Sequence, residues 1–142
     1  MVAEAAAELA HISGRDAETA EAITVRLAVL HEQRDWPAVR DLAGELIRRD
    51  ATDAALWVTW AYATRRTASL AAAEGILLEA EKIHPKEPTI QFNLGCYACQ
   101  RGDLAATRRR IARAVELEAR FAALAAIDPD LAPLRAADAA TD

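Results

Sequence analysis

The strongest constraint on the fold of this chain is an internal repeat with a period of 34 residues. The segment from Trp57 to Pro85 returns, with its apolar and small positions kept, in the segment from Ile90 to Ala119. A period of this size is typical of stacked helical hairpins, which bury their apolar faces against one another. The aligned pairs, each 34 positions apart, are Trp60 and Leu94, Ala61 and Gly95, Leu70 and Leu104, Leu77 and Ile111, Ala80 and Ala114, and Ile83 and Leu117.

The composition favours helices throughout the chain. Ala, Leu, Glu and Arg dominate and are good helix formers, whereas only 5 Gly and 5 Pro are present, mainly near the proposed element ends. With 142 residues, the chain fits one domain or one short repeat array. We therefore predict an all-α fold. The 17 basic and 22 acidic residues give a formal charge of −5, which disfavours general attraction to nucleic acid or to an anionic membrane.

The sequence also bears on where the protein works. No apolar run approaches the roughly 18 residues that a membrane-spanning helix needs. Glu4 and Glu8 lie where a secretory signal would have a basic start and an apolar centre. Two cysteines are too few for a disulfide framework. We therefore expect a soluble, cytoplasmic protein, and its Ala- and Arg-rich composition is typical of a bacterial one.

Turn and capping residues divide the chain into a lead-in, a repeat array and a tail. Ser13 to Asp16 interrupts the Ala-rich, helix-favouring lead-in. Asp35 and Asp53 are predicted helix caps, and Pro37 fits the first turn of its helix. The tail has little to bury, so we expect it to be disordered. The predicted divisions are a lead-in at 1–15, an array at 16–135 with repeats at about 20–53, 54–87 and 88–119 and a cap at 120–135, and a tail at 136–142.

The two clear copies resemble a known family. Each first helix carries a large residue followed by a small one, at Trp60–Ala61 and Leu94–Gly95. This helix–turn–helix pattern is similar to the tetratricopeptide repeat, whose opening aromatic residue matches Trp57 and is replaced by Gln91. The resemblance implies a right-handed α-α superhelix, or solenoid, of about three stacked hairpins with a C-terminal cap. The matching second-helix positions are Ala73, Leu77, Ala80 and Pro85 in one copy, and Thr107, Ile111, Ala114 and Ala119 in the next.

Residues 20–53 form a degenerate third copy. Leu27 stands where the other copies have Ala61 and Gly95, and Leu46 replaces the second alanine. Small residues at such positions let two helices approach closely. We therefore expect the first hairpin to pack less closely, or in a shifted register.

The resemblance further implies that the first helix of each hairpin lines a concave groove. Its centre would be apolar and its rim polar, which suits a peptide or helix partner. An alternative stays open, in which the C-terminal cap or the lead-in fills the groove. The best candidates for peptide binding are Val58, Tyr62, Arg65, Arg66, Phe92, Asn93, Cys96 and Gln100, and the same face includes Thr24, Val25, Ala28, His31, Glu32, Thr59 and Cys99.

The family's known carboxylate clamp is poorly matched. Some members grip a C-terminal carboxylate with lysine and asparagine side chains. Here Thr24 and Ala28 occupy the clamp positions of the first copy, and only Asn93 keeps its type. We therefore do not expect this chain to bind heat-shock chaperone tails.

Other reactive residues have simpler explanations. Cys96 and Cys99 form a C-x-x-C pair on a predicted helix, without the preceding strand of a redox site or two further zinc ligands, so we interpret them as packing residues. The run Arg108 to Arg110 spreads around a helix and predicts a solvated face. No catalytic set can be assembled, so we expect neither enzyme activity nor a metal or cofactor. The three tryptophans at inward positions, predicted to pack in the core, are Trp36, Trp57 and Trp60.

The sequence therefore predicts a non-catalytic protein–protein interaction module, an adaptor or scaffold. Its partner would be another protein or a peptide, not nucleic acid or a membrane, and the chain would be a monomer or a weak homo-oligomer. Two alternatives remain, a chaperone for an exported or assembling client and a structural self-association module. Fold alone does not choose among them, because such repeats serve many unrelated complexes.

Overall fold

A computed structural model describes residues 19–141, and this part of the chain is helical, with no strand. The predicted lead-in at 1–15 lies outside the described residues. A 3₁₀ turn, Pro129–Leu131, separates the last two helices. In chain order the eight α-helices of residues 19–141 are α1 (Ala20–Glu32), α2 (Trp36–Arg49), α3 (Ala54–Thr67), α4 (Leu70–Ile83), α5 (Pro88–Gln100), α6 (Leu104–Leu117), α7 (Phe121–Ile127) and α8 (Ala132–Thr141).

Short polar side chains set the helix starts, as the sequence predicts. Asp35 accepts a hydrogen bond from the Ala38 N–H at 3.2 Å, and Asp53 accepts one from Ala55 at 3.0 Å. Such a bond satisfies one of the N–H groups that a helix leaves unpaired at its start. The remaining caps of the same kind are Thr19 for α1, Ser69 for α4, Glu87 for α5 and Asp103 for α6.

The helices themselves repeat with the period of the sequence. First helices begin at residues 20, 54 and 88, and second helices at 36, 70 and 104, so each start is 34 residues after the one before it. The first hairpin is therefore in register with the others, and the expected shift of register is not observed. The first hairpin does pack less closely than the second and third hairpins. Leu27 is half-buried, whereas Ala61 and Gly95 at the matching positions of the other copies are buried.

Small residues bring the helices of the second and third hairpins together. Ala61, Ala80 and Ala114 have no exposed surface. A Cβ added at Gly95 would lie 2.7 Å from Ile111 Cδ1, so the missing side chain is what admits the isoleucine. Around these contacts one hydrophobic cluster extends from Ile47 on α2 to the C-terminal turn. The three hairpins therefore share a continuous core.

The C-terminal residues differ from the expected disordered tail. Residues 136–141 continue α8, which is a helix up to Thr141. Arg135 holds its start by donating to the carbonyl oxygens of Ala125 at 3.0 Å and Asp128 at 2.8 Å. Arg108 Nη2 and Asp138 Oδ1 form an ion pair at 2.7 Å further along. These polar anchors order a segment that has no buried residue of its own, which is why apolar patterning does not predict it.

Two glycines give a matched test of this backbone. A Cβ at either Gly75 or Gly102 would have no neighbour within 4 Å, but only Gly102 has a positive φ, of 87°. Gly75→Ala should raise the free energy of unfolding by about 0.5–1 kcal/mol, because alanine loses less entropy in a helix. Gly102→Ala should lower it by about 1–2 kcal/mol through left-handed strain. Urea unfolding followed by circular dichroism measures both, and shifts in the same direction would contradict the assigned backbone.

Candidate functional site

The predicted groove residues differ in exposure from one helix to the next. On α1 the positions Thr24, Val25, Ala28, His31 and Glu32 are exposed. On α3, Tyr62 and Arg66 are exposed, whereas Val58, Thr59 and Arg65 are half-buried. On α5, Phe92, Cys96 and Cys99 are buried, Asn93 is half-buried and Gln100 is exposed. Among residues 19–141, the predicted face is therefore open on α1 and in part on α3, and largely closed on α5.

The C-terminal segment, residues 121–141, closes the α5 part. The rings of Phe92 and Phe121 lie 5.1 Å apart, and Leu131 has no exposed surface. Gln100 Nε2 donates to the Asp130 carbonyl oxygen at 2.9 Å. Phe92 and Cys96 were expected at the open centre of the groove, and the structure corrects this, because the chain's own residues already cover them. On α5, the C-terminal segment therefore covers the face that the resemblance predicts to line the groove.

Arg65 is also engaged by this segment. Its guanidinium pairs with the Asp130 carboxylate through two contacts, Nη1–Oδ2 at 2.7 Å and Nη2–Oδ1 at 3.0 Å. Such a two-point pair is stronger and more directional than a single hydrogen bond. The hydrogen bond to Asp130 raises the pKa of Arg65 above its usual value. The guanidinium also lies 5.4 Å from the centre of the buried Tyr97 ring. Arg65 is therefore a structural anchor for the C-terminal segment.

Beside this anchor lies an aromatic–arginine cluster that no other segment of residues 19–141 covers. It consists of His31, Trp36, Tyr62 and Arg66. The Trp36 ring contacts His31 and Tyr62 edge-on, with centroid distances of 5.1 Å in both pairs. The Arg66 guanidinium carbon lies 5.2 Å from the centre of the Trp36 ring and 5.0 Å from that of Tyr62. Tyr62 is 42 % exposed, which is high for a large aromatic residue.

Two cavities meet at Tyr62 and Arg66. The first, of about 550 Å³, lies towards the C-terminal segment, and the second, of about 450 Å³, lies towards α1. Both volumes are in the range of ligand sites in proteins. The first cavity is lined by Tyr62, Arg65, Arg66, Asp128, Pro129 and Asp130, and the second by His31, Glu32, Arg34, Trp36, Tyr62 and Arg66.

Trp36 is the cluster residue that the sequence interpretation placed wrongly. It was expected in the core with Trp57 and Trp60. Trp57 is buried in the core cluster and the half-buried Trp60 packs against it, whereas Trp36 belongs to neither group. Trp36 is half-buried, because it is the first residue of α2 and lies at the end of the first hairpin. A signal was present, since a residue between a cap and Pro37 lies at the helix terminus, where the core is thinnest.

Cys96, Asp128 and Asp130 bring possible metal-ligand atoms within 4.8 Å of one another. Their other interactions argue against an open ligand set. Burial raises the pKa of the Cys96 thiol, and the nearby Asp128 and Asp130 carboxylates raise it further, so the thiol stays protonated. Asp130 pairs with Arg65, and Asp128 accepts a hydrogen bond from the Asp130 N–H at 2.8 Å. These residues hold the C-terminal segment in place.

A polar cluster at the junction of three helices was missed by the sequence interpretation. Gln91 is only 3 % exposed, although the corresponding residue in the previous copy is Trp57. Its side chain donates to Glu81 Oε2 at 2.5 Å and accepts from Arg110 Nη1 at 3.0 Å, and Arg110 also pairs with Glu81. The cluster joins α4, α5 and α6. The signal was the glutamine itself, because the matching position of the previous copy holds an aromatic residue, Trp57.

Comparison with known proteins names no relative. No protein-family model matches this sequence, and a search of curated proteins found no match either. Among the helices of residues 19–141, none is both long and apolar enough to cross a membrane. The function must therefore be inferred from the geometry of the site.

Proposed function

We propose that this protein is a non-catalytic protein–protein interaction module of the tetratricopeptide type, in which the open face of α1 and α3 binds a peptide or helix of another protein. The 34-residue spacing of all six hairpin helices supports a superhelical stack. The observation that carries the proposal is the exposed aromatic–arginine cluster between two cavities. Within residues 19–141, the C-terminal segment covers the neighbouring α5 face, and no segment covers this cluster.

The residue types of the cluster favour protein binding. Trp, Tyr and Arg are enriched among the residues that contribute most to protein interfaces. Aromatic side chains provide a large contact area and lose little conformational entropy on binding. Here the rings and the guanidinium already contact one another, so the surface is preorganised.

The available surface is shorter than the full groove that the sequence predicts. Along α3 it follows Val58, Tyr62 and Arg66, which are four residues apart and share one face of the helix. At a rise of about 1.5 Å per residue, this strip is about 12 Å long. Val58 lines a further cavity of about 310 Å³ at the far end, with Ala54, Ala55, Thr59, Glu87 and Thr89. A short segment of about four extended residues would cover the strip.

Affinity capture from the native host tests the proposal with matched variants. Tyr62→Glu places a charge in the cluster, and Leu78→Glu places one on α4 at a side chain of nearly equal exposure, 42 % against 41 %. Partners captured by the wild type should be lost with Tyr62→Glu and retained with Leu78→Glu, while circular dichroism shows that both fold. Equal capture by all three proteins would refute the proposal. Recovery of a second copy of this chain alone would instead favour self-association.

A further inference from the structure

We infer that the segment bound at this face carries a carboxylate side chain next to an apolar one, and that the carboxylate pairs with Arg66. The inference rests on the proposed function and specifies the chemistry of its partner. The partner segment would place an aspartate or glutamate beside Arg66 and an apolar residue on the rings of Tyr62 and Trp36. Three observations carry it.

The first observation is the state of Arg66. It is exposed, and no carboxylate in residues 19–141 forms an ion pair with it. The rings of Trp36 and Tyr62 contact the guanidinium and fix its position. A guanidinium has five N–H donors, and those of Arg66 make no hydrogen bond to residues 19–141, so they can serve an acceptor. Arg66 is therefore an oriented cation whose hydrogen-bond donors are not used by residues 19–141.

The second observation is the local charge. The cavity towards α1 is lined by Arg34 and Arg66 against a single carboxylate, Glu32, and His31 lies beside them. Arg34, like Arg66, makes no ion pair within the described chain. In a molecule of formal charge −5, this cavity beside the exposed Tyr62 therefore has two guanidinium groups and one carboxylate. Complementarity of charge favours an acidic partner segment here.

The third observation is what the chain itself places beside this patch. Asp128 to Leu131 crosses the same face, with the Asp130 carboxylate on Arg65 and the next side chain, Leu131, fully buried. The chain thus already binds an aspartate followed by an apolar residue at Arg65, the neighbour of Arg66 in the sequence. The cavity of about 550 Å³ between Pro129 and Tyr62 leaves room for a second segment of the same chemistry.

A peptide titration of the full chain tests the inference. The probe is acetyl-Leu-Asp-Pro-Asp-Leu-Ala-amide, and its control has asparagine at both aspartate positions. Resonances of the Trp36 indole N–H and the Arg66 side chain should shift with the acidic probe, with a dissociation constant of about 1 mM or below. The asparagine probe should bind about tenfold more weakly, because it cannot form a charge-assisted pair.

Two variants separate charge at this site from charge in general. Arg66→Gln should weaken the acidic probe about tenfold, whereas Arg48→Gln should leave its affinity unchanged. Arg48 is a suitable control because it is exposed on α2 and forms no ion pair with any residue between 19 and 141. The inference is overturned by equal binding of the two peptides, by no binding at several millimolar, or by an unchanged affinity of Arg66→Gln. It is also overturned if inorganic phosphate produces the same shifts at the same concentrations.

The two proposals can fail separately. If captured host partners are lost with Tyr62→Glu but retained in full with Arg66→Gln, the face binds protein without a carboxylate contact, and only the inference falls. If partners are retained with both variants, the proposed function falls as well.

Discussion

Leu131→Ala should lower the free energy of unfolding by about 2–5 kcal/mol, the range for leucines that lose their whole buried side chain. Leu131 has no exposed surface and belongs to the cluster that contains Phe92 and Phe121. Removing it leaves a cavity under the C-terminal segment, which no nearby residue can fill without moving. Urea unfolding at constant pH gives the difference.

Leu124→Ala is the matched control for this substitution. Leu124 lies in the same C-terminal segment but is 37 % exposed, so its truncation should change the free energy of unfolding by less than about 1 kcal/mol. Equal losses for the two variants would mean that Leu131 is not the residue that anchors the segment.

Leu131→Ala should also expose the α5 face that the C-terminal segment covers. Cys96 is buried, and burial raises the pKa of its thiol, so alkylation of the native protein should be slow. In Leu131→Ala the C-terminal segment should cover α5 less tightly, so iodoacetamide should alkylate Cys96 faster under native conditions. Peptide mass spectrometry follows the reaction. An unchanged rate, together with a large loss of stability, would show that the segment opens only when the whole protein unfolds.

The helical framework was predictable from the sequence because its determinants are local. Caps such as Asp35 and Asp53 act on N–H groups two or three residues away. The 34-residue period likewise repeats the same apolar and small positions. Even the degenerate first copy keeps its helix starts, because Thr19 and Asp35 act in the same way without the small residue that Leu27 replaces.

Whether the predicted groove residues are open or covered could not be predicted in the same way. Phe92 and Cys96 occupy groove positions in the repeat, and nothing in their own hairpin shows that they are covered. The covering residues follow the last repeat, where the period has ended. The decisive ion pair joins Arg65 to Asp130, 65 residues apart, and depends on how the chain turns at Pro129. Repeat patterns identify which residues share a face, but not whether a later segment lies on it.

The second large effect is expected at the polar cluster of Glu81, Gln91 and Arg110. Arg110→Ala should lower the free energy of unfolding by about 2 kcal/mol, because it removes hydrogen bonds to a charged group and leaves Gln91 without its donor in a buried position. Arg113→Ala is the control on the same helix. Its pair with Glu116 is local and on the surface, so its loss should be below about 1 kcal/mol.

The pH dependence of the free energy of unfolding distinguishes the contribution of the Glu81 charge from that of packing in this cluster. Burial acts to raise the pKa of Glu81, but hydrogen bonds from Gln91 and Arg110 outweigh it, so the folded-state pKa lies below the ordinary 4.5. A carboxylate with a lowered pKa stabilises the fold at pH values above its unfolded-state pKa, and this contribution is lost as the pH falls through its folded-state pKa.

The stability lost in Glu81→Gln should therefore be constant from pH 7 to about pH 5.5 and shrink as the pH falls further. Urea unfolding of both proteins at pH 7 and at about pH 3 measures it. If the difference is the same at both pH values, Glu81 contributes through its shape and neutral hydrogen bonds rather than through its charge.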